Sequence, residues 1–129
     1  MNVLDENVRA DQRELLRDRR IPVRHIGHDI VSKGIQDDNI IPLLLRLRRP
    51  TFFTCDSDFY QRRLCHPRYC LVYLAIDDLS VAVYVRRVLR HPSFNTEAKR
   101  MGTVIRASSS GLTVWRLHAG QQETASWPE

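Results

Sequence analysis

The sequence predicts an α/β sandwich built on a mainly parallel sheet. Short apolar or β-branched runs alternate with stretches of helix-forming residues along most of the chain. The run at residues 69–75 is apolar on both faces, as a strand is when helices cover both sides of a parallel sheet. Two predicted strands, residues 1–4 and 51–54, run directly into acids. Parallel sheets bind ligands at the carboxyl ends of their strands.

Each element follows from local chemistry. Residues 1–4 read as a short buried strand ending in Asp5-Glu6-Asn7. Residues 11–20 are rich in Leu, Glu, Gln and Arg and predict a helix, with Val8, Leu15 and Leu16 as its apolar stripe and Pro22 as its stop. Residues 23–26 alternate apolar and polar and predict a second strand before Gly27. Residues 30–35, with Gly34, form a connection. Asp37, Asp38 and Asn39 are N-cap types. Residues 40–47 are too apolar for a surface helix and predict a buried one, whose first turn accommodates Pro42.

Pro50 ends that helix, and Thr51-Phe52-Phe53-Thr54 is a third strand. Residues 69–75 are the fourth. Asp77-Asp78 cap a segment reaching Arg90. Val81, Val83 and Val85 alternate there like a strand, but the Asp cap, the terminal arginines and the need for a crossover favour a helix. Residues 102–107 and 112–117 form a hairpin across Ser108-Ser109-Ser110-Gly111. Residues 119–129 read as a loose tail.

A chain of 129 residues fits one domain. No apolar run is long enough to span a bilayer, and no basic-then-apolar leader opens the chain, so a cytoplasmic protein without membrane association is expected. The three cysteines, Cys55, Cys65 and Cys70, are an odd count that argues against a disulfide framework, and their spacing matches no closed zinc set. The net charge is +5, and eighteen of the twenty bases are Arg. Residues 60–129 hold ten bases against five acids, so the whole excess lies there. A basic surface attracts polyanions, although simple solvation is the plainer account of any one arginine.

The acids carry the chemistry. If the first and third strands are parallel neighbours, Asp5-Glu6 and Asp56-x-Asp58 meet at one edge despite some fifty intervening residues. Asp37 or Asp38, opening the central helix, could face the same cleft. Converging carboxylates repel and raise one another's pKa, and a hard divalent cation relieves that repulsion. One or two such ions can support phosphodiester hydrolysis without a His or Cys nucleophile. Taken singly, each acid pair reads as a turn or a helix cap; their joint placement points to a metal site.

At this point the sequence resembles the PIN-like proteins of the DUF5615 group, which are associated with toxin–antitoxin operons. The matching residues are Leu4-Asp5-Glu6-Asn7-Val8, His28-Asp29-Ile30-Val31, Gly34 with Asp37-x-x-Ile40-Ile41, and Thr54-x-Asp56-x-Asp58-Phe59. Gly102-Thr103-Val104-Ile105 and Leu112-Thr113-Val114-Trp115-Arg116-Leu117 resemble the family's closing hairpin. The likeness spans residues 1–118. It implies a PIN-like three-layer α/β/α sandwich with a C-terminal β-hairpin, and an endoribonuclease using Mg²⁺ or Mn²⁺.

The resemblance further implies a catalytic set of Asp5, Asp37, Asp56 and Asp58. Asp5 would be the central metal ligand, completed by Asp56 and Asp58, with Glu6 as an alternative. Asn7 and Thr54 would orient the carboxylates, and Asp38 competes with Asp37 for one role. Arg9, Arg62 and Arg63 are candidates for RNA phosphate contact. The implied partners are RNA, a small antitoxin protein and, as an option, a second copy of the chain. The chain departs from the family pattern at Pro42, at the arginine-rich residues 46–49, and at Ala75, where the family tends to carry Arg.

Three other readings share these residues. A catalytically degenerate PIN-like module would bind RNA or protein without cutting. A phosphoacceptor receiver would use Asp5, Glu6 and Asp56 but needs a Lys after a late strand, and the only lysines are Lys33 and Lys99. A Toprim-like nuclease would make Glu6 the base or a ligand beside Asp56-x-Asp58.

Overall fold

The computed structural model describes residues 1–30 and 34–129. Val31, Ser32 and Lys33, which include part of the connection and of the His28–Val31 motif read from the sequence, lie outside the described residues.

The chain runs β1 (Asn2–Leu4), α1 (Ala10–Asp18), β2 (Arg24–His25), α2 (Ile40–Arg46), β3 (Thr51–Thr54), β4 (Cys70–Leu74), α3 (Val81–Arg90), α4 (Glu97–Arg100), β5 (Thr103–Ser108), β6 (Gly111–Arg116) and β7 (Glu123–Ala125). The seven strands form one sheet in the order β2-β1-β3-β4-β5-β6-β7. Strands β2 to β5 in that order pair in parallel, while β6 and β7 add antiparallel.

Register and alternation build two cores. Val3, Phe52, Leu71 and Val104 form one row across the sheet, each paired with the next. Leu4, Phe53, Val72 and Ile105 form the adjacent row. Successive strand residues point to opposite faces, so the two rows enter different layers. The first row packs with Ile40, Leu43 and Leu44 of α2, and with Phe59 and Tyr69. The second packs with Leu16 of α1 and Val81, Val85 and Val88 of α3. This is the expected three-layer α/β/α sandwich, with its C-terminal hairpin.

Helix α3 shows tertiary context overriding propensity. Val81, Ala82, Val85 and Val88 recur at helical spacing and are buried, whereas Val83 is exposed. Val81 and Val85 share the buried face while Val83 points away from it, which is helical and not strand periodicity. Gln12 of α1 is buried, and its Oε1 accepts from the Ala82 N–H at 2.9 Å. One side chain thus satisfies a first-turn donor of α3 and locks the two helices together. Pro42 sits in the first turn of α2, where a missing N–H costs nothing. A 3₁₀ turn over Asp37–Asn39 precedes that helix.

The tail departs from expectation. Instead of remaining loose, residues 119–129 supply β7, which pairs Val114 with Glu123 and Leu112 with Ala125. Trp127 then donates from Nε1 to the Ser108 carbonyl at 2.7 Å and packs on the α1–α3 core. Gly111 permits the approach: its φ is +140°, and a Cβ there would meet the Ala125 carbonyl oxygen at 2.7 Å. A polar edge strand leaves little trace in hydrophobic patterning. Helix α4 was likewise not expected; the Thr96 hydroxyl caps it by accepting from the Lys99 N–H at 3.2 Å.

Candidate active site at the carboxyl edge of the sheet

Strands β1, β3 and β4 are parallel neighbours, so the segments that follow them emerge side by side. Asp5 directly follows β1, and its N–H still donates to the Phe53 carbonyl at 3.0 Å. Alternation from Val3 and Phe52 carries Asp5 and Thr54 toward the same face. The Thr54 hydroxyl donates to Asp5 Oδ2 at 2.6 Å and accepts from the Asp56 N–H at 3.0 Å. One buried threonine therefore fixes the Asp5 carboxylate and the turn bearing Asp56. Asp56 in turn accepts from the Asp58 N–H at 2.9 Å, which caps the 3₁₀ turn Ser57–Phe59.

A cleft of about 270 Å³ opens here, lined by Asp5, Asn7, Val8, Cys55, Asp56, Asp78 and Val81. Burial raises the Asp5 carboxyl above the usual 3.8; the Thr54 and Glu6 hydrogen bonds oppose the shift, and the charges of Asp37 and Asp56 add to it. The Cys55 thiol is pushed up too, first by desolvation on the side facing the cleft and then by Asp5, Asp78 and Asp77, although the residue as a whole is exposed. The cleft thus gathers three carboxylates, Asp5, Asp56 and Asp78, around one whose charged form burial disfavours.

The expected residues divide. Asp5, Asn7 and Asp56 line the cleft, Thr54 braces it, and Asp37 lies within electrostatic reach of Asp5. Asp38 and Asp58 are exposed and do not line it. The Glu6 carboxylate turns away to accept from the Gly34 N–H, so it holds the connection before α2. Arg9 forks onto Asp11 of its own helix, at 2.9–3.2 Å. Arg62 lies over the Trp115 ring, 5.6 Å from its centre, and Arg63 donates to Gln61 at 2.7 Å. Neither lines the cleft.

Asp78 and Cys55 were not singled out from the sequence. Asp77-Asp78 read as a pair of caps, and Asp77 does cap, accepting from the Leu79 N–H at 2.9 Å. The position of β4 beside β3 is what brings Asp78 to the same edge. His25, at the end of β2, was also passed over. It is fully buried, its Nε2 lies 3.3 Å from the Glu6 carbonyl, and burial lowers its pKa.

Among the described residues, no three His, Cys, Asp or Glu side chains gather closely enough to form a metal-ligating cluster. Asp5, Glu6, Asp56 and Asp58 are therefore not assembled as one ligand set. Asp5 and Asp56 do present an all-oxygen pair in mutual repulsion. That donor chemistry fits a hard cation that keeps several waters and takes one or two carboxylates, as Mg²⁺ and Mn²⁺ do, and not a closed protein cage.

No helix among the described residues is long and apolar enough to cross a membrane. Compared with known protein families, curated proteins and solved structures, the chain matches none.

Proposed function

We propose that this chain is a PIN-like, metal-dependent endoribonuclease whose site is the Asp5–Asp56 cleft. The observation that supports it is the Thr54 bridge: one buried hydroxyl holds the Asp5 carboxylate while receiving the N–H of Asp56, at the adjoining ends of two parallel strands. Among the described residues neither carboxylate has a cationic partner; partly buried carboxylates in that state cost stability, and such groups concentrate at functional sites. A divalent cation held by Asp5 and Asp56 would lower the pKa of bound water and offset charge on the leaving oxygen.

The chain's own groups then have defined tasks. Thr54 orients Asp5. Asn7 offers the cleft a neutral amide that can hydrogen-bond a phosphate or a water. Asp78 adds a further carboxylate to the cleft lining, where it can hydrogen-bond a bound water. An RNA target and a regulating antitoxin-like protein remain part of the proposal.

The test is cleavage of a labelled RNA with Mg²⁺ or Mn²⁺, set beside a melting curve with and without the ion. Cation-dependent cutting that Asp5→Asn abolishes is expected, together with a rise in melting temperature on adding Mn²⁺ that Asp5→Asn loses. Cleavage unaffected by Asp5→Asn would refute the assignment.

A specific observation favours a second reading. The absence of a three-ligand cluster among the described residues, with Glu6 committed to Gly34, suits a degenerate module that binds without cutting. A receiver is disfavoured: β5 turns directly into β6, and Lys99 lies before β5, donating to the Pro92 carbonyl at 2.8 Å.

A further inference from the structure

A second feature lies on the face covered by α1 and α3. Between these helices and the C-terminal segment runs a groove of about 450 Å³. Its floor is apolar, with Leu15 and Val83 exposed at 48% and 57%. Its rim carries Arg19, Arg86, Arg87 and Arg90. None of the four forms an ion pair among the described residues, and the one acid lining the groove is Glu129. Partial desolvation and the neighbouring Arg90 and Arg19 lower the Arg86 guanidinium, a sign of crowded like charge. Trp127 forms the far wall, with the Arg87 guanidinium over its ring at 4.2 Å.

The groove and the acid cleft share no lining residue, but both reach the first turn of α3. Val81 lines the cleft and Ala82 lines the groove. With a rise of about 1.5 Å per residue, Arg86 and Arg90 stand roughly 8 and 14 Å along α3 from Val81. Cations that track a backbone beside an aromatic platform are how single strands are held without regard to sequence.

We propose that the α1–α3 groove is the binding track for single-stranded RNA leading into the cleft, with Arg19, Arg86 and Arg90 on successive phosphates and Trp127 with Arg87 as a stacking platform for a base. This rests on the nuclease reading for its direction, since it names the path of that site's substrate. It differs from the sequence expectation, which put phosphate contacts on Arg9, Arg62 and Arg63. An acidic amphipathic peptide would match the charge and the apolar floor, but it leaves the Trp127–Arg87 stack and the nearness of the cleft at the first turn of α3 without a role.

The test is fluorescence anisotropy with a labelled twelve-nucleotide 2′-O-methyl oligoribonucleotide in EDTA, so that neither metal nor cutting enters. Binding is expected. Arg86→Ser with Arg90→Ser should weaken it at least about tenfold and reduce the slope of log affinity against log salt by about 1.4, the value for two lost single-strand phosphate contacts. Arg46→Ser with Arg48→Ser makes the same charge change on exposed residues at the end of α2, on the opposite layer, and should not reproduce the loss. If the double variant fails to fold, Trp115→Phe leaves Trp127 as the sole tryptophan, and its fluorescence should be quenched by the oligonucleotide.

Equal weakening by both arginine pairs, an unresponsive Trp127, or tighter binding of a Glu-rich helical peptide would overturn the proposal. A protein that holds the strand here but never cuts RNA would refute only the nuclease. One that cuts RNA with no contribution from the groove would refute only the track.

Discussion

Asp5 and Asp29 lie beside the carboxyl ends of two adjacent parallel strands, yet their surroundings are opposite. Asp29 accepts from Arg13 Nε and Nη2 at 3.1 and 2.8 Å, from Arg17 at 3.1 Å, and from the His25 N–H at 2.8 Å. Its carboxyl is held far below the usual range, mainly by the Arg13 hydrogen bonds. Asp5 has a threonine hydroxyl and like charges, and its carboxyl is raised. The same residue type thus serves two ends. Asp29 ties the turn after β2 to α1 and contributes stability. Among the described residues Asp5 has no cationic partner, so burial and like charge there carry an electrostatic cost that a bound cation or a proton would relieve.

Substitution separates the two. Asp5→Asn should reduce cation-dependent RNA cleavage at least about 100-fold, comparable to losing one preorganised transition-state contact. Its melting temperature without metal should equal or exceed wild type, because an amide oxygen can still accept from Thr54. Asp29→Asn should do the reverse. It should cost about 1–2 kcal/mol in urea unfolding, the lower part of the range for charged hydrogen bonds because solvent screens Arg17 and the side chain is 20% exposed.

Thr54→Val sharpens the contrast from the side of the brace. It preserves shape but leaves the Asp5 carboxylate and the Asp56 N–H without their partner. A stability loss of about 1–2 kcal/mol should accompany a fall in cleavage of roughly 10–100-fold, the usual cost of losing a group that orients a metal ligand. If activity survives in this variant, the bridge has no part in catalysis.

Acid titration gives the smallest effect and a clear sign. Asp29 has a depressed folded pKa, so its contribution is present above the ordinary value of 3.8 and is lost as pH falls through the lower folded value. Asp5 has a raised folded pKa, so its contribution is present below 3.8 and is lost as pH rises through the higher folded value. Melting curves across this window should show Asp29→Asn losing less stability than wild type toward acid. Asp5→Asn should lack the decline that wild type shows as pH rises above 3.8. Identical pH profiles for the two variants would erase the distinction.

Much of this architecture was readable in advance. The paired residues Phe52 and Phe53, or Leu71 and Val72, announce strands covered on both faces because each neighbour enters a different core. Asp5 and Asp56 were legible as a pair because short parallel strands ending in acids must bring those acids to one edge. Asp78 was not, since a cap and a cleft wall use the same residue type. The arginines were legible in number but not in role. Arg100 is buried, donating to Thr51 and to the Phe94 carbonyl at 2.9 and 2.7 Å, and Arg116 pairs with Glu123 at 2.8 Å. Arg86 and Arg90 carry no ion pair among the described residues.

The amino-acid sequence by itself determined the alternation of strand and helix, the two-sided burial of the sheet and the acids at two strand ends. These depend on side-chain size, polarity and period, which are local properties of the chain. Only the tertiary structure decided that β7 ends the sheet, that Glu6 serves a loop while Asp5 serves a cleft, and that arginines with no ion pair among the described residues gather beside Trp127. Those outcomes depend on strand order and on which charges find partners across long separations, and a local pattern holds no record of either.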